Sequence, residues 1–276
     1  MRIVTFRRNG NVQHGVRTRD VIAVHPDAAS AVDLALGAAT SKSDGEVALA
    51  DVELLCPVPR PGKIICIGLN YRAHAIEGGN PIPDYPAVFM RGPTSLLAPG
   101  GAMIYPECSD QLDYEAELAV VIGKTATNVS TANALDFVAG YSCFNDGSVR
   151  NYQRKSTQWT MGKNFDATGG FGPDLVTPDE LPAGASGLRI IARLNGQVMQ
   201  DSNTADMIFD VATLVATLSE AMTLEPGDVI ATGTPSGVGY ARNPPVFMRP
   251  GDFSEIEIEG IGILANTVAL RSQTAA

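Results

Sequence analysis

The chain lacks the features that would place it in most specialised classes. Its four cysteines, Cys56, Cys66, Cys108 and Cys143, show no CxxC spacing. That excludes a dithiol redox motif or a zinc ribbon. Three of them (Cys56, Cys66 and Cys143) stand in apolar surroundings, as buried free thiols do in a reducing compartment. No apolar run reaches membrane-spanning length, and Met1 to Arg8 breaks into charge at once. Neither a spanning helix nor a secretory leader is therefore predicted. No block of Lys or Arg exceeds two neighbours, and the net charge is −10. A nucleic-acid surface built on a basic patch is excluded on those grounds. No internal repeat or low-complexity segment interrupts the chain. These absences predict a cytoplasmic protein with no nucleic-acid and no membrane partner.

What is present is enough for a large core. Hydrophobic residues make up 45% of 276 and charged residues 18%, too apolar a balance for a disordered chain. The segment from residue 1 to about 56 reads as a small appendage. It has alternating strands at Arg2–Phe6, Val12–Val16 and Val21–Val24, a turn at Arg8-Asn9-Gly10-Asn11, and an Ala-rich helical stretch over 28–40. The Pro-rich stretch Leu54–Gly62 marks a junction, giving two predicted domains, 1–56 and 57–276. In the second, strands are predicted at 63–68, 88–91, 137–144 and 229–232. A hairpin is predicted around Asn195-Gly196 and a final strand pair around Gly260. Helices are predicted over 128–139, 150–158 and 210–222. Hairpins outnumber crossovers, so the fold class is α+β, strand-dominated and mostly antiparallel, with peripheral helices.

The most telling segment is Asp113-Tyr114-Glu115-Ala116-Glu117, followed by an apolar run to Gly123. Alternation with period two puts Glu115 and Glu117 on one face of a strand. Adjacent carboxylates repel, and a cation between them relieves the repulsion. A second apolar run ends in Asn145-Asp146 and supplies a third carboxylate at a strand end. Three oxygen donors with no His or Cys close in sequence point to Mg²⁺ or Mn²⁺ rather than zinc. A solvated strand edge is the alternative reading. Paired acids two residues apart lie too close to flank a sugar bond, which excludes the glycosidase arrangement. Gly233-x-x-x-Gly237-x-Gly239 is no Walker loop, because no Gly-Lys-Ser/Thr follows. Its backbone N–H groups suit a small anion, with a plain turn as the alternative.

Several motifs in fixed order resemble the fumarylacetoacetate hydrolase family over about residues 56–270. They are Gly68-Leu69-Asn70-Tyr71-x-x-His74-x-x-Glu77, Asp113-Tyr114-Glu115-x-Glu117-Leu118, Asn145-Asp146-x-Ser148-x-Arg150, Trp159-Thr160-x-Gly162-Lys163-x-Phe165-Asp166 and Thr232-Gly233-Thr234-Pro235-x-Gly237-Val238-Gly239. The resemblance implies a mixed β-sandwich roll behind the small N-terminal α/β appendage, usually as a homodimer. It implies metal ligation by Glu115, Glu117 and Asp146, with Asp113 outside the ligand set, and Lys163 as the active-site lysine. Arg150 and Gln153 are implied to contact the keto-acid end of the substrate, and Thr234 its carboxylate. His74 and Glu77 match a dyad on a lid-like segment. Spacing of three puts them on one face of a helical turn, where Glu can orient the imidazole to take a proton from water. Gly78-Gly79 would let that segment open and close.

The activity so implied is metal-dependent hydrolysis of a C–C bond in a 2,4-diketo acid, an acylpyruvate or a 2,4-diketo-3-deoxy sugar acid. The leaving group is a pyruvate enolate held by the cation and Lys163. The alternatives are oxaloacetate decarboxylation, keto–enol or 2-hydroxy-dienoate isomerisation at the same site, and a non-catalytic keto-acid-binding protein. Two departures from the family pattern stand out. Arg91-Gly92-Pro93-Thr94-Ser95 replaces a segment that often reads Lys-Pro/Ser, and Arg150-Asn151 stands where Arg-Asp is common. Neither is expected to touch the metal set.

Overall fold

The structure is a computed structural model, and it describes residues 1–37 and 43–273. Among the described residues the fold consists of two large sheets, a two-stranded ribbon and short helices. The larger sheet has twelve strands. Its main path runs Glu46–Ala48, Val21–Val24, Asn11–Thr18, Arg2–Arg8, Gly169–Val176, Val138–Asp146, Ala116–Ile122, Val229–Ala231, Ile64–Gly68 and Ala87–Arg91. The second sheet has five strands in the order Gln197–Asn203, Arg189–Leu194, Phe253–Ile258, Gly262–Leu270 and Ala102–Tyr105. Pairing is antiparallel except at three joints, which makes the sheets mixed. The N-terminal strands continue the larger sheet, since Arg2 and Ile3 pair with Val176 and Leu175.

Strand alternation explains the layering. Leu118, Val120 and Ile122 point into the core shared with Ile190, Ile256 and Leu264 of the five-stranded sheet. Ala119 and Val121 point the other way, against Phe144, Phe171 and the helix Ala31–Ala35. Glu115 and Glu117 share the parity of Ala119 and Val121, so the acids emerge on that second face. The hairpin at Asn195-Gly196 forms as predicted, with both residues left-handed (φ 53° and 78°), the requirement of a tight two-residue turn. The helix Val211–Ala221 is capped by Asp210, whose carboxylate accepts the Thr213 N–H.

Three predicted helices differ from the structure. Over 128–139 only a short 3₁₀ turn forms at Ala134–Phe137, and Ser130 makes no side-chain cap. Pairing with Ala116–Ile122 draws the chain into a strand from Val138 on, which outweighs local helix propensity. The 150–158 helix is confined to Arg150–Gln153, and a second short helix, Thr160–Lys163, follows. The N-terminal helix covers Ala31–Ala35, and the end of its predicted range lies outside the described residues. No helix among the described residues is long and apolar enough to cross a membrane.

Candidate active site

The site grows from the pairing of Ala116–Ile122 with Val138–Asp146. Glu115 donates its N–H to Asn145 Oδ1, and Asp146 donates its N–H to the Glu115 carbonyl. That register brings the Glu115, Glu117 and Asp146 carboxylates together, each offering an oxygen within 4.8 Å of the others, all buried. Lys163, at the end of its short helix, places Nζ 2.6 Å from both Glu115 Oε2 and Asp146 Oδ2. Arg150 reaches the same floor, with Nη2 2.7 Å from Glu115 Oε1, Nε 2.7 Å from Asp113 Oδ2 and Nη1 donating to Gln153 Oε1 at 3.0 Å.

The electrostatics separate the three acids. Burial pushes the Glu115 carboxyl up, but Arg150, Lys163 and His74 outweigh it and bring it down to about 2. Glu117 is driven well above the carboxylate range by burial and by the neighbouring Asp146 and Glu115 charges. Lys163 and the Gly233 N–H, 3.0 Å from Oε2, work against that rise without overcoming it. Burial favours a neutral Lys163, yet Asp146 and Glu115 raise its pKa. A trio of buried carboxylates with one under-compensated member suits a hard divalent cation, as does the all-oxygen donor set.

The remaining predicted residues converge on one cavity of about 330 Å³, lined by His74, Arg150, Gln153, Lys163, Thr234 and the three acids. His74 Nδ1 lies 2.8 Å from Glu77 Oε1. With Nδ1–H donated to that carboxylate, Nε2 keeps a free lone pair. Glu77 stands behind His74 and accepts the Gly237 N–H at 2.9 and 3.1 Å. The segment Arg72–Glu77 is thus an ordered helix tied to the glycine loop. Thr234 Oγ1 accepts from Gln200 Nε2 at 2.8 Å, which leaves its own proton for an anion in the cavity.

Two expectations need correction. Arg91 does touch the metal set. It is buried and pairs through Nη1 with Asp146 Oδ1, while Nε and Nη2 donate to Ser95 and Thr168 hydroxyls. The longer, forked guanidinium spans partners that lie on separate segments. The glycine loop does bind anions, but they are the protein's own carboxylates. Gly233 N–H goes to Glu117 and Gly237 N–H to Glu77. Gly239 and Tyr240 N–H go to the Asp113 oxygens, at 2.8 and 3.0 Å. A Cβ on Gly239 would lie 1.9 Å from the Val246 carbonyl oxygen, so only glycine fits.

Sequence reasoning missed Arg91, Gln200, Arg154 and Tyr240, and it gave Asp113 no role. Arg91 was visible only as a departure from the family pattern. Gln200 ties the Thr234 loop to the floor by also accepting the Ala116 N–H. No local signal marks it, since the contact spans more than thirty residues on either side.

Comparison with known proteins agrees with this geometry. The family model described as "Fumarylacetoacetate (FAA) hydrolase C-terminal" matches residues 63–269, and "Rv2993c-like, N-terminal" matches residues 1–57. The chain is 46% identical to oxaloacetate tautomerase YisK of Bacillus subtilis over 224 residues, covering 80% of this chain and 74% of that protein. Its fold is similar to the solved structure of a fumarylacetoacetate hydrolase from Exiguobacterium antarcticum, with a TM-score of 0.86, 35% identity, and 98% and 100% of the two chains covered. It is also similar to a 5-carboxymethyl-2-hydroxymuconate delta-isomerase from Mycobacterium smegmatis, with a TM-score of 0.84, 33% identity and the same coverage. With three quarters of its length matched and its motifs assembled in one cavity, this chain belongs to the fumarylacetoacetate hydrolase family.

Proposed function

We propose that the protein is a divalent-metal-dependent enzyme that interconverts the keto and enol forms of a 2-oxo acid of the oxaloacetate class. The observation that carries this reading is the buried floor of Glu115, Glu117, Asp146 and Lys163 beneath His74, in a chain 46% identical to an oxaloacetate tautomerase. Glu115, Glu117 and Asp146 would hold the cation, which supplies Lewis-acid stabilisation of enolate charge. Thr234 orients the substrate carboxylate through its free hydroxyl proton. His74 Nε2, set by Glu77, takes the proton from C3. The C–H electron pair becomes the C2=C3 double bond, and the carbonyl π pair moves to the C2 oxygen. Lys163, held cationic by Asp146 and Glu115, faces that developing charge. Return of the proton from His74 to oxygen gives the enol, and the reverse path gives the ketone. No water enters, and atoms and charge balance over the cycle.

The 46% identity to an oxaloacetate tautomerase favours this reading over C–C hydrolysis, and a dyad that can deprotonate water can also deprotonate a carbon acid. Hydrolysis of an acylpyruvate remains the second reading, supported by the 35% identity to a solved fumarylacetoacetate hydrolase. Incubation with acetylpyruvate separates the two: the tautomerase reading predicts no acetate, and stoichiometric acetate and pyruvate would overturn it. The same family reading carries a homodimer, which light scattering tests.

A further inference from the structure

Arg150 and Arg154 lie one helical turn apart and both line the cavity, Arg150 buried at the acidic floor and Arg154 exposed. Both guanidinium carbons sit 4.5 Å from the centre of the Tyr240 ring, so they lie no more than about 9 Å from one another. Tyr240 is fixed in turn by its N–H bond to Asp113, the acid that holds Arg150. The two arginines differ in one respect. Arg150 is buried and paired with Asp113 and Glu115. Arg154 is exposed, lines the cavity, and pairs with no carboxylate among the described residues. An arginine braced on a ring and free of an acid is pre-organised for a planar anion.

The charge balance points the same way. With all three acids ionised, as cation binding requires, Glu115, Glu117 and Asp146 balance Arg150, Arg154 and Lys163 in the lining, where His74 and Tyr240 are the other titratable groups. A divalent cation on the floor leaves an excess of two positive charges, and a dianion neutralises it. We propose that Arg154, braced on Tyr240, is the subsite for a second carboxylate, which makes the preferred substrate a short 2-oxo dicarboxylate rather than a monocarboxylate. The inference rests on the metal-floor reading for the near end of the substrate. It adds the residue that reads the far end.

The test compares oxaloacetate with its 4-methyl ester, which lacks only the far charge, on the Mg²⁺-loaded full chain. Affinities are measured by calorimetry and turnover is followed in parallel, for the wild type, Arg154→Gln and Arg154→Lys. The expected result is that the wild type favours the diacid, that Arg154→Gln collapses this preference by roughly ten- to a hundred-fold, and that Arg154→Lys restores part of it. A preference that survives Arg154→Gln, or one absent from the wild type, overturns the subsite. If the diacid binds selectively through Arg154 but is not turned over, the subsite stands and the keto–enol reading falls. If neither compound binds, both fall.

Discussion

Glu115 and Asp146 each hold lysine and arginine partners, whereas Glu117 has the Gly233 N–H and two facing carboxylates. This asymmetry separates holding a cation from holding the fold. Glu117→Gln is expected to leave the melting temperature of the metal-free protein nearly unchanged while weakening Mg²⁺ or Mn²⁺ binding more than about a hundred-fold. Glu115→Gln breaks buried ion pairs as well, and should cost about 3–5 kcal/mol of unfolding free energy. Parallel melting and metal titration check both, and equal destabilisation by the two substitutions would refute the division. His74 bonds to Glu77 and to no member of the floor. His74→Asn should therefore retain cation affinity and lose about 10²–10⁴ in turnover. A variant that loses its metal instead would make His74 a ligand.

At the level of elements, the glycine loop is the clamp that aligns separate parts of the site. Its successive N–H groups hold Glu117 of the floor, Glu77 of the dyad and Asp113 behind Arg150. Gly239→Ala should displace Asp113, since the new Cβ would stand 2.5 Å from its Oδ1 as well as against the Val246 carbonyl. We expect a loss of at least about 3 kcal/mol and a raised KM, with Asp113→Asn milder on both counts. Thermal melts and steady-state kinetics give the answer, and a neutral Gly239→Ala would remove the clamp. The floor acids were legible in the sequence because strand alternation has a fixed period and puts Glu115 and Glu117 on one face. The hairpin at Asn195-Gly196 was legible because a two-residue turn demands left-handed residues. Arg91, Gln200 and Tyr240 were not, because their roles arise from contacts between distant segments. The helix expected over 128–139 failed for the same reason: strand pairing at Val138 is a tertiary effect that local propensity cannot register.

For the whole molecule, the N-terminal strands are part of the same sheet as the site, through the pairing of Arg2–Arg8 with Gly169–Val176. His14 is buried in this region, with Nδ1 3.0 Å from the Thr5 hydroxyl, which also donates to the Pro57 carbonyl. Burial lowers its pKa below the ordinary 6.5, against smaller opposing effects of Asp33 and the Ala29 backbone. A histidine kept neutral in the fold contributes stability in full above pH 6.5. That contribution is lost as pH falls through its lowered value, because the unfolded chain takes up the proton first. Chemical denaturation of wild type and His14→Gln between pH 7.5 and about pH 5 should show a shallower acid decline in the variant. Parallel curves would exclude this role. The role of the floor is tested by keto–enol interconversion of oxaloacetate by metal-stripped protein, before and after addition of Mg²⁺ or Mn²⁺. The expected rate is near the uncatalysed background without metal and recovers fully on adding either ion, with the carbon skeleton intact. Undiminished turnover by the stripped protein, or none after reloading, would contradict that role.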